Sequence, residues 1–163
     1  MANNNAIVSI IEKLTEKNHS SPCKKTLQKI VFLVEAKCVD LGFDYGIHFY
    51  GPYSSDLDFA VRELCDKDIL EIKYTSTNHF ISVKNHSGVG EYSNKTVDEV
   101  IDLFGKEAPN ELELIATALY VYLRLKDRSK VMAGVIKLKG NKFPEDRIVT
   151  AIKKLEKGGY IAA

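Results

Sequence analysis

The sequence predicts a mainly α-helical protein with small β-hairpins, an α+β fold made of two winged helix-turn-helix-like halves packed together. Two similar stretches, 60–70 and 151–161, carry this prediction. Each places Ala, an aliphatic residue, two polar residues and Leu on a helix, ahead of a break and the start of an apolar strand. Two further helical patterns precede each stretch. Because a helix-turn-helix followed by a short hairpin has this order of elements, the winged-helix outline is predicted twice.

The two predicted halves are residues 1–90 and 91–163. Between them, 85–93 contains Gly88 and Gly90 and has no apolar periodicity, which is typical of a linker. The alternative is that both halves form one compact unit.

The first half begins with a predicted helix over about 6–17, since its apolar residues recur at helical spacing. Ser21 and Pro22 are expected to open a second helix, because Ser caps a helix and Pro fits its first turn. Gly42 is expected to close that helix, since glycine readily adopts a left-handed conformation.

A short strand is predicted at about 45–50, followed by a turn at 51–52, where Gly is joined to Pro. A third helix is expected over roughly 55–67, with a serine cap and two aspartates at its positive end. The β-branched runs at 69–74 and 79–83 surround a short polar turn and predict a hairpin, which would be the wing.

The second half shows four helical patterns and then the start of an apolar strand at 160–162. The patterns lie at about 96–104, 110–123, 129–140 and 144–158. If this half is a winged helix, its wing is missing or rudimentary.

Composition limits the classes of protein that fit. The chain has 163 residues, 45% of them hydrophobic and 28% charged, which is typical of a folded globular protein. No apolar run approaches the roughly 18 to 20 residues that span a bilayer, and 1–5 lacks the basic start of a signal peptide. Three widely spaced cysteines imply no disulfide framework. We therefore expect a cytoplasmic protein that does not bind membranes.

Positive charge is concentrated in the last third of the chain. The net charge is only +1, but 124–157 carries 11 Lys and Arg against 4 Asp and Glu. This asymmetry makes double-stranded DNA a candidate partner, with 144–158 as the recognition helix. The predicted DNA-binding residues are Arg147, Lys153, Lys154, Lys157, Lys139 and Lys142. A single short helix buries little surface, so a homodimer is expected on DNA. A solvated lysine-rich face is the alternative.

The first half is a poorer candidate for DNA, because its third helix is acidic. It is better suited to a protein partner. The predicted partner-binding residues are Tyr45, Tyr50 and Tyr53, around the Gly-Pro turn, since aromatic side chains on a rigid turn are good interface anchors. The alternative is that the turn packs Tyr50 or Tyr53 into the core.

Three lysines, Lys24, Lys25 and Lys29, lie at the start of the second helix, where the helix dipole disfavours positive charge. Either an anion or a partner binds there, or the chain tolerates a small loss of stability.

The residues K-T-L-Q-K-I-V-F-L at 25–33, followed by F-Y-G-P-Y-S at 49–54, resemble a pattern of the YwgA-type proteins. They resemble more distantly the SocA-like antitoxin, or Panacea, domains of prokaryotes. The similarity covers about 25–72. Those antitoxin domains often carry Trp where this chain has 48–50, His-Phe-Tyr, so the YwgA-like branch is nearer. The resemblance implies a helical, winged-helix-like domain with a toxin–antitoxin or regulatory role and no enzymatic site.

The sequence offers no constellation typical of an enzyme, a metal site or a bound cofactor. His79 and His86 have no cysteine nearby, and the cysteines lack the spacing of a zinc site. The prediction is a non-catalytic regulatory or antitoxin-like protein that binds DNA through its basic helix. The alternative is an adaptor or antitoxin that binds only a protein, such as a toxin or a regulator.

Overall fold

The chain forms seven α-helices and two antiparallel two-stranded sheets within residues 2–162, which this computed structural model describes. The prediction of a mainly α-helical fold with small β-hairpins is confirmed. In chain order the elements are α1 (Ala2–Asn18), α2 (Lys24–Glu35), β1 (Gly46–His48), β2 (Gly51–Tyr53), α3 (Ser55–Asp66), β3 (Leu70–Tyr74), β4 (His79–Val83), α4 (Lys95–Phe104), α5 (Pro109–Leu125), a 3-10 turn (Arg128–Lys130), α6 (Val131–Lys139) and α7 (Glu145–Lys157).

Helix α2 lies at the centre of the fold. Every residue from Thr26 to Val34 is buried, so the helix is covered on all sides rather than along one stripe. It packs against α4, α5 and a strand of each hairpin. The start of this helix is therefore the place where elements from distant parts of the sequence meet.

Helix α5 is the second organising element. It packs against α2, α6, α7 and strand β2, and its residues from Leu112 to Leu119 are all buried. One continuous hydrophobic core contains side chains from α1 through α7, on both sides of residue 90. The segment 84–94 holds neither helix nor strand, as a linker would, and the division into two halves near residue 90 stays a prediction.

The second hairpin forms where the sequence predicts it. Leu70 pairs with Val83 and Tyr74 with His79. The backbone N–H of Thr75 donates to the carbonyl of Asn78 at 2.8 Å and closes the turn. In the first half this hairpin follows three helices, which is the order that suggested a wing, but the winged-helix assignment itself stays a prediction.

Helix α2 is shorter than predicted at both ends. It begins at Lys24, after Cys23, so Ser21 and Pro22 lie outside it. The carbonyl of Pro22 instead accepts a hydrogen bond from the backbone N–H of Ile81 in β4 at 2.9 Å. The helix ends at Glu35, well before Gly42. A contact with β4 thus fixes the segment before the helix, and Cys23 stands at the cap position without a side-chain cap hydrogen bond.

The turn predicted at Gly51 and Pro52 is displaced by two residues. Both lie in strand β2, where Ile47 pairs with Pro52 and His48 with Gly51. The turn consists of Phe49 and Tyr50 instead. Pro is tolerated in this strand because a two-stranded sheet leaves one edge of each strand unpaired, so its missing N–H costs no ladder bond on that edge.

The strand predicted at 160–162 is absent, since no strand follows α7 within the described residues. The Tyr160 hydroxyl donates to the carbonyl of Leu33 in α2 at 2.7 Å, and Ile161 is buried. Docking of the Tyr160 side chain on the central helix replaces strand pairing.

Candidate functional site

Two aromatic residues form the turn between β1 and β2, and we call Phe49 and Tyr50 the aromatic turn. Their rings pack edge to face with centroids 5.0 Å apart. Phe49 is 81% exposed and Tyr50 is 56% exposed. An aromatic side chain with that exposure has most of its apolar surface in water, which binding to another molecule would remove.

Two side chains of helix α2 form hydrogen bonds with the backbone just after the aromatic turn. The Gln28 amide donates to the carbonyl of Ser54 and accepts from its backbone N–H, both at 2.9 Å. Lys29 donates from Nζ to the carbonyl of Pro52 at 2.7 Å. Gln28, Lys29 and Ser54 are all buried, so these bonds are shielded from competing water.

Gly51 allows the strand to approach α5 closely. Its φ of +98° lies in the region that favours glycine. A Cβ atom there would be 3.0 Å from Thr117 Oγ1 and 3.4 Å from side-chain carbons of Glu113 and Lys29. The absence of a side chain at Gly51 therefore allows β2 to pack closely between α2 and α5.

A lysine cluster surrounds one buried carboxylate behind the aromatic turn. Glu113 has no exposed side-chain surface, and its oxygens lie 2.7 Å from Lys25 Nζ, 3.1 Å from Lys139 Nζ and 2.8 Å from Lys142 Nζ. Burial by itself would raise the pKa of Glu113, but hydrogen bonds from the three lysines outweigh it and hold the pKa below its ordinary value. Glu113 therefore stays ionised and ties α2, α5 and α6 together.

The same lysines support the aromatic turn. Lys139 Nζ donates to the carbonyl of Phe49 at 2.5 Å. Lys142 Nζ lies 5.9 Å from the ring centroid of Phe49 and 5.4 Å from that of Tyr50, and Lys25 Nζ lies 4.8 Å from Tyr50. These distances permit cation–π attraction. The exposed rings are thus held in place from both sides.

The three tyrosines predicted to bind a partner have different environments. Tyr50 is exposed in the aromatic turn, and Tyr53 is partly buried at the end of β2. Tyr45 packs edge to face on Phe32 at 5.1 Å, and its buried hydroxyl has no hydrogen-bond partner among the described residues. Phe49, which the sequence analysis did not select, is the most exposed aromatic residue of this group.

Most of the predicted DNA-binding residues are engaged within the chain. Arg147 lies 2.6 Å from Glu111, and Lys154 lies 3.0 Å from Glu107. Lys139 and Lys142 belong to the lysine cluster, and the Lys139 side chain is only 5% exposed. The other two predicted residues, Lys153 and Lys157, make no ion pair with any residue that the structure describes.

A cavity of about 650 Å³ opens beside the aromatic turn. It lies between the first turns of α2 and α5, the turn of the β3–β4 hairpin and Tyr50. Its lining includes the three lysines that the sequence analysis singled out, Lys24, Lys25 and Lys29. A cavity of this volume is in the range that accommodates small organic molecules.

The residues that sequence reasoning missed are Phe49 and Glu113. Glu113 carries a readable signal, because it is a carboxylate between Leu112 and Leu114 in a mostly apolar helix. A charge within an apolar helix is often buried with a partner. Its lysine partners are spread from residue 25 to residue 142, so the sequence does not show which residues they are.

The structure of residues 2–162 shows neither a metal-binding cluster nor a membrane-spanning helix. No group of three His, Cys, Asp or Glu side chains is arranged to hold a metal ion there, and none of the helices found there has both the length and the apolar character to cross a membrane. Cys23, Cys38 and Cys65 are free thiols.

Comparison with known proteins gives one informative match. No family model matches the chain. The chain is 26% identical over 141 residues to the Bacillus subtilis (strain 168) protein named "Uncharacterized protein YwgA", and the match covers 82% of this chain and 84% of that protein. The similarity therefore extends well beyond 25–72. It supports a YwgA-like family, whereas the link to SocA-like antitoxins remains an expectation.

Proposed function

We propose that this protein is a non-catalytic interaction module that binds a protein partner through the aromatic turn. The observation that carries the proposal is the exposure of Phe49 and Tyr50 on a turn that buried hydrogen bonds hold in place. Single exposed apolar residues are common on protein surfaces. Two exposed aromatic rings that pack edge to face and are held by several side chains of other elements are better explained by recognition.

The fixed geometry favours tight binding. A loop that is already ordered loses little conformational freedom when it meets a partner, so more of the interaction energy appears as affinity. Aromatic residues are enriched among the side chains that dominate interface energetics. The partner is expected to present an apolar pocket for Phe49 with acidic residues beside it, because Lys25 and Lys142 flank the rings. A toxin or a regulator, as expected for an antitoxin-like protein, would fit this description.

Site-specific photo-crosslinking tests the proposal. A photoreactive phenylalanine analogue at position 49 should capture a partner in cells, and the same analogue at Phe59 serves as the control. Phe59 is 64% exposed and lies on α3, outside the aromatic turn. With the captured protein purified, Phe49→Ala should weaken binding by about tenfold or more, and Phe59→Ala should leave it unchanged. Equal capture at both positions, or unchanged affinity of Phe49→Ala, would contradict the proposal.

DNA binding through α7 is the second candidate function. It is supported by Lys153 and Lys157, which are exposed and make no ion pair among the described residues. It is weakened because the other four predicted residues are engaged with acidic side chains of the same chain. Fluorescence polarisation with random duplex DNA at two salt concentrations separates the two functions. Salt-sensitive binding that is lost in a Lys153→Gln, Lys157→Gln double variant but kept in Phe49→Ala would favour DNA.

A further inference from the structure

We propose that the cavity between α2 and α5 binds a small organic phosphate of the nucleotide class. The cavity adjoins the aromatic turn, because Tyr50 lines it, but Phe49 does not. Three independent observations point to an anionic ligand: an excess of positive charge, a buried lysine with unused donors, and two helix N-termini without side-chain caps.

The positive charge around the cavity exceeds the negative charge that neutralises it. Asp58 is shared by Lys24 at 2.6 Å and Arg62 at 2.9 Å. Glu113 is shared by the three lysines of the cluster. Five basic side chains, of which Lys24 and Lys25 line the cavity, thus share two carboxylates. An anion in the cavity would reduce the repulsion between the lysines that line it.

Lys29 adds a sixth positive charge, and Glu113, whose negative charge acts on it, is already shared by three lysines. The residue is 1% exposed and lines the cavity. Its ammonium group has three N–H bonds, and within 2–162 the carbonyl of Pro52 is its one hydrogen-bond acceptor. Buried donors are nearly always satisfied in folded proteins. A phosphate oxygen in the cavity would supply the missing acceptor.

The two helices that border the cavity begin there without side-chain caps. Cys23 precedes α2 and Ala108 precedes α5, and neither side chain accepts a hydrogen bond from its helix. The first backbone N–H groups of a helix have no partner within it, and the helix dipole attracts negative charge. In α5 the first residue, Pro109, has no N–H and Glu111 already places a negative charge in the first turn, so α2 is the stronger anion site. In α2 the first turn contains no acidic residue but begins with Lys24 and Lys25, which the dipole disfavours. A phosphate bound there would accept hydrogen bonds from free N–H groups of the helix and would offset the positive charge of Lys24 and Lys25.

The remaining lining favours an organic ligand over a bare ion. The aromatic residues Tyr50, Tyr53 and His79 line the cavity, as do the apolar residues Ala108 and Pro109. Aromatic residues next to basic ones suit a ligand with a planar ring and phosphate groups, because the ring can stack while the phosphates contact the lysines. This combination is the reason for choosing the nucleotide class over inorganic phosphate.

Calorimetric titration of the full-length protein with ATP, pyrophosphate and adenosine tests the proposal. ATP should bind more tightly than either fragment. A Lys24→Gln, Lys25→Gln double variant should lose at least about tenfold in ATP affinity, since each lysine contributes a charge-assisted contact. Lys153→Gln, on the exposed face of α7, is the charge-matched control and should bind as the wild type does. Phe49→Ala should also bind ATP normally, which separates this proposal from the proposed function.

A second measurement on the unmodified protein does not depend on the variants folding. In amide NMR spectra, ATP should shift resonances of 24–26 and 110–112, at the start of the two helices, at lower ATP concentrations than it shifts those of α7. Absence of ATP binding at millimolar concentration, unchanged affinity of the double variant, or shifts confined to α7 would overturn the proposal. Pyrophosphate binding as tightly as ATP would overturn the assignment to a nucleotide.

Discussion

Gln28 and Ser54 exchange a reciprocal pair of hydrogen bonds, in which the Gln28 side chain satisfies both the carbonyl and the N–H of the Ser54 backbone. Ser54 in turn caps α3, because its hydroxyl accepts from the backbone N–H of Leu57 at 3.2 Å. A single buried glutamine on the central helix therefore fixes the end of β2 and the start of α3 together. The pattern L-Q-K that resembles YwgA-type proteins thereby acquires a structural role.

Replacing this glutamine should be costly. Gln28→Met keeps the length of the side chain but leaves two buried backbone groups of Ser54 without partners. The free energy of unfolding should fall by about 2–4 kcal/mol, since each unsatisfied buried group costs about 1–3 kcal/mol. Urea denaturation measures this change. Asn141→Ala removes an exposed polar side chain and should change stability by less than about 0.5 kcal/mol. Equal effects of the two variants would show that the hydrogen bonds of Gln28 are not important for stability.

Gly51 offers a test of the close packing between β2 and α5. Gly51→Ala places a methyl group 3.0 Å from Thr117 Oγ1 in a backbone conformation with φ of +98°. Gly42→Ala is a matched control, because Gly42 also has a positive φ of +82° but no atom lies within 4 Å of the added Cβ. Backbone strain should cost each variant about 1–2 kcal/mol, and overpacking should cost Gly51→Ala about 1–3 kcal/mol more. Identical melting temperatures of the two variants would contradict this steric explanation.

Glu113 should be essential to the lysine cluster. Glu113→Gln preserves the shape of the side chain but removes the charge that Lys25, Lys139 and Lys142 share, and it should lower the free energy of unfolding by about 3 kcal/mol. Glu99→Gln, which neutralises an exposed carboxylate, is the control and should have little effect. Denaturant titrations at neutral pH compare the two.

The pH dependence gives Glu113 a second signature. Because the pKa of Glu113 is lower in the folded protein than its ordinary value, its contribution is present above that ordinary pKa and is lost as the pH falls through the folded pKa. The stability difference between the wild type and Glu113→Gln should therefore shrink in acid. A difference that stays constant down to about pH 3 would argue against a charge-based role.

The parts of the fold that local rules specify were predictable from the sequence. The β3–β4 hairpin follows from two alternating β-branched runs around a polar turn, and α3 follows from the serine before its apolar pattern. The helix ends that failed depend on distant partners. Pro22 bonds to Ile81, and Tyr160 docks on Leu33. The residues next to Pro22 and Tyr160 in the sequence do not indicate either of these long-range contacts.

The candidate site was predictable only in part, for the same reason. The Gly-Pro pair beside aromatic residues marked the region correctly, and Tyr50 is exposed there. The basic residues of 124–157 were interpreted as one DNA-binding face because their acidic partners lie earlier in the chain, Glu107 just before α5 and Glu111 and Glu113 within it. Charge counted along a sequence does not show which charges neutralise one another across helices.

Lys29 should make the stability of the folded protein depend on pH for the opposite reason to Glu113, because its charged form is disfavoured by folding. Burial and, to a smaller extent, the nearby charge of Lys25 lower the pKa of Lys29 from an ordinary value of 10.5 to about 8. Between these two values the unfolded chain binds more protons than the folded one, so the stability of the folded protein rises as the pH increases from about 8 to about 10.5. Lys29→Met removes this titration. The stability of the wild type relative to Lys29→Met should therefore increase by about 2 kcal/mol between about pH 7 and about pH 9.5, measured by urea denaturation.

Lys153→Met, which removes an exposed lysine, controls for titrations elsewhere in the chain, and its difference from the wild type should stay constant. A constant difference for Lys29→Met as well would mean that the ammonium of Lys29 is solvated, and that the lysine lies in contact with water rather than buried against Pro52.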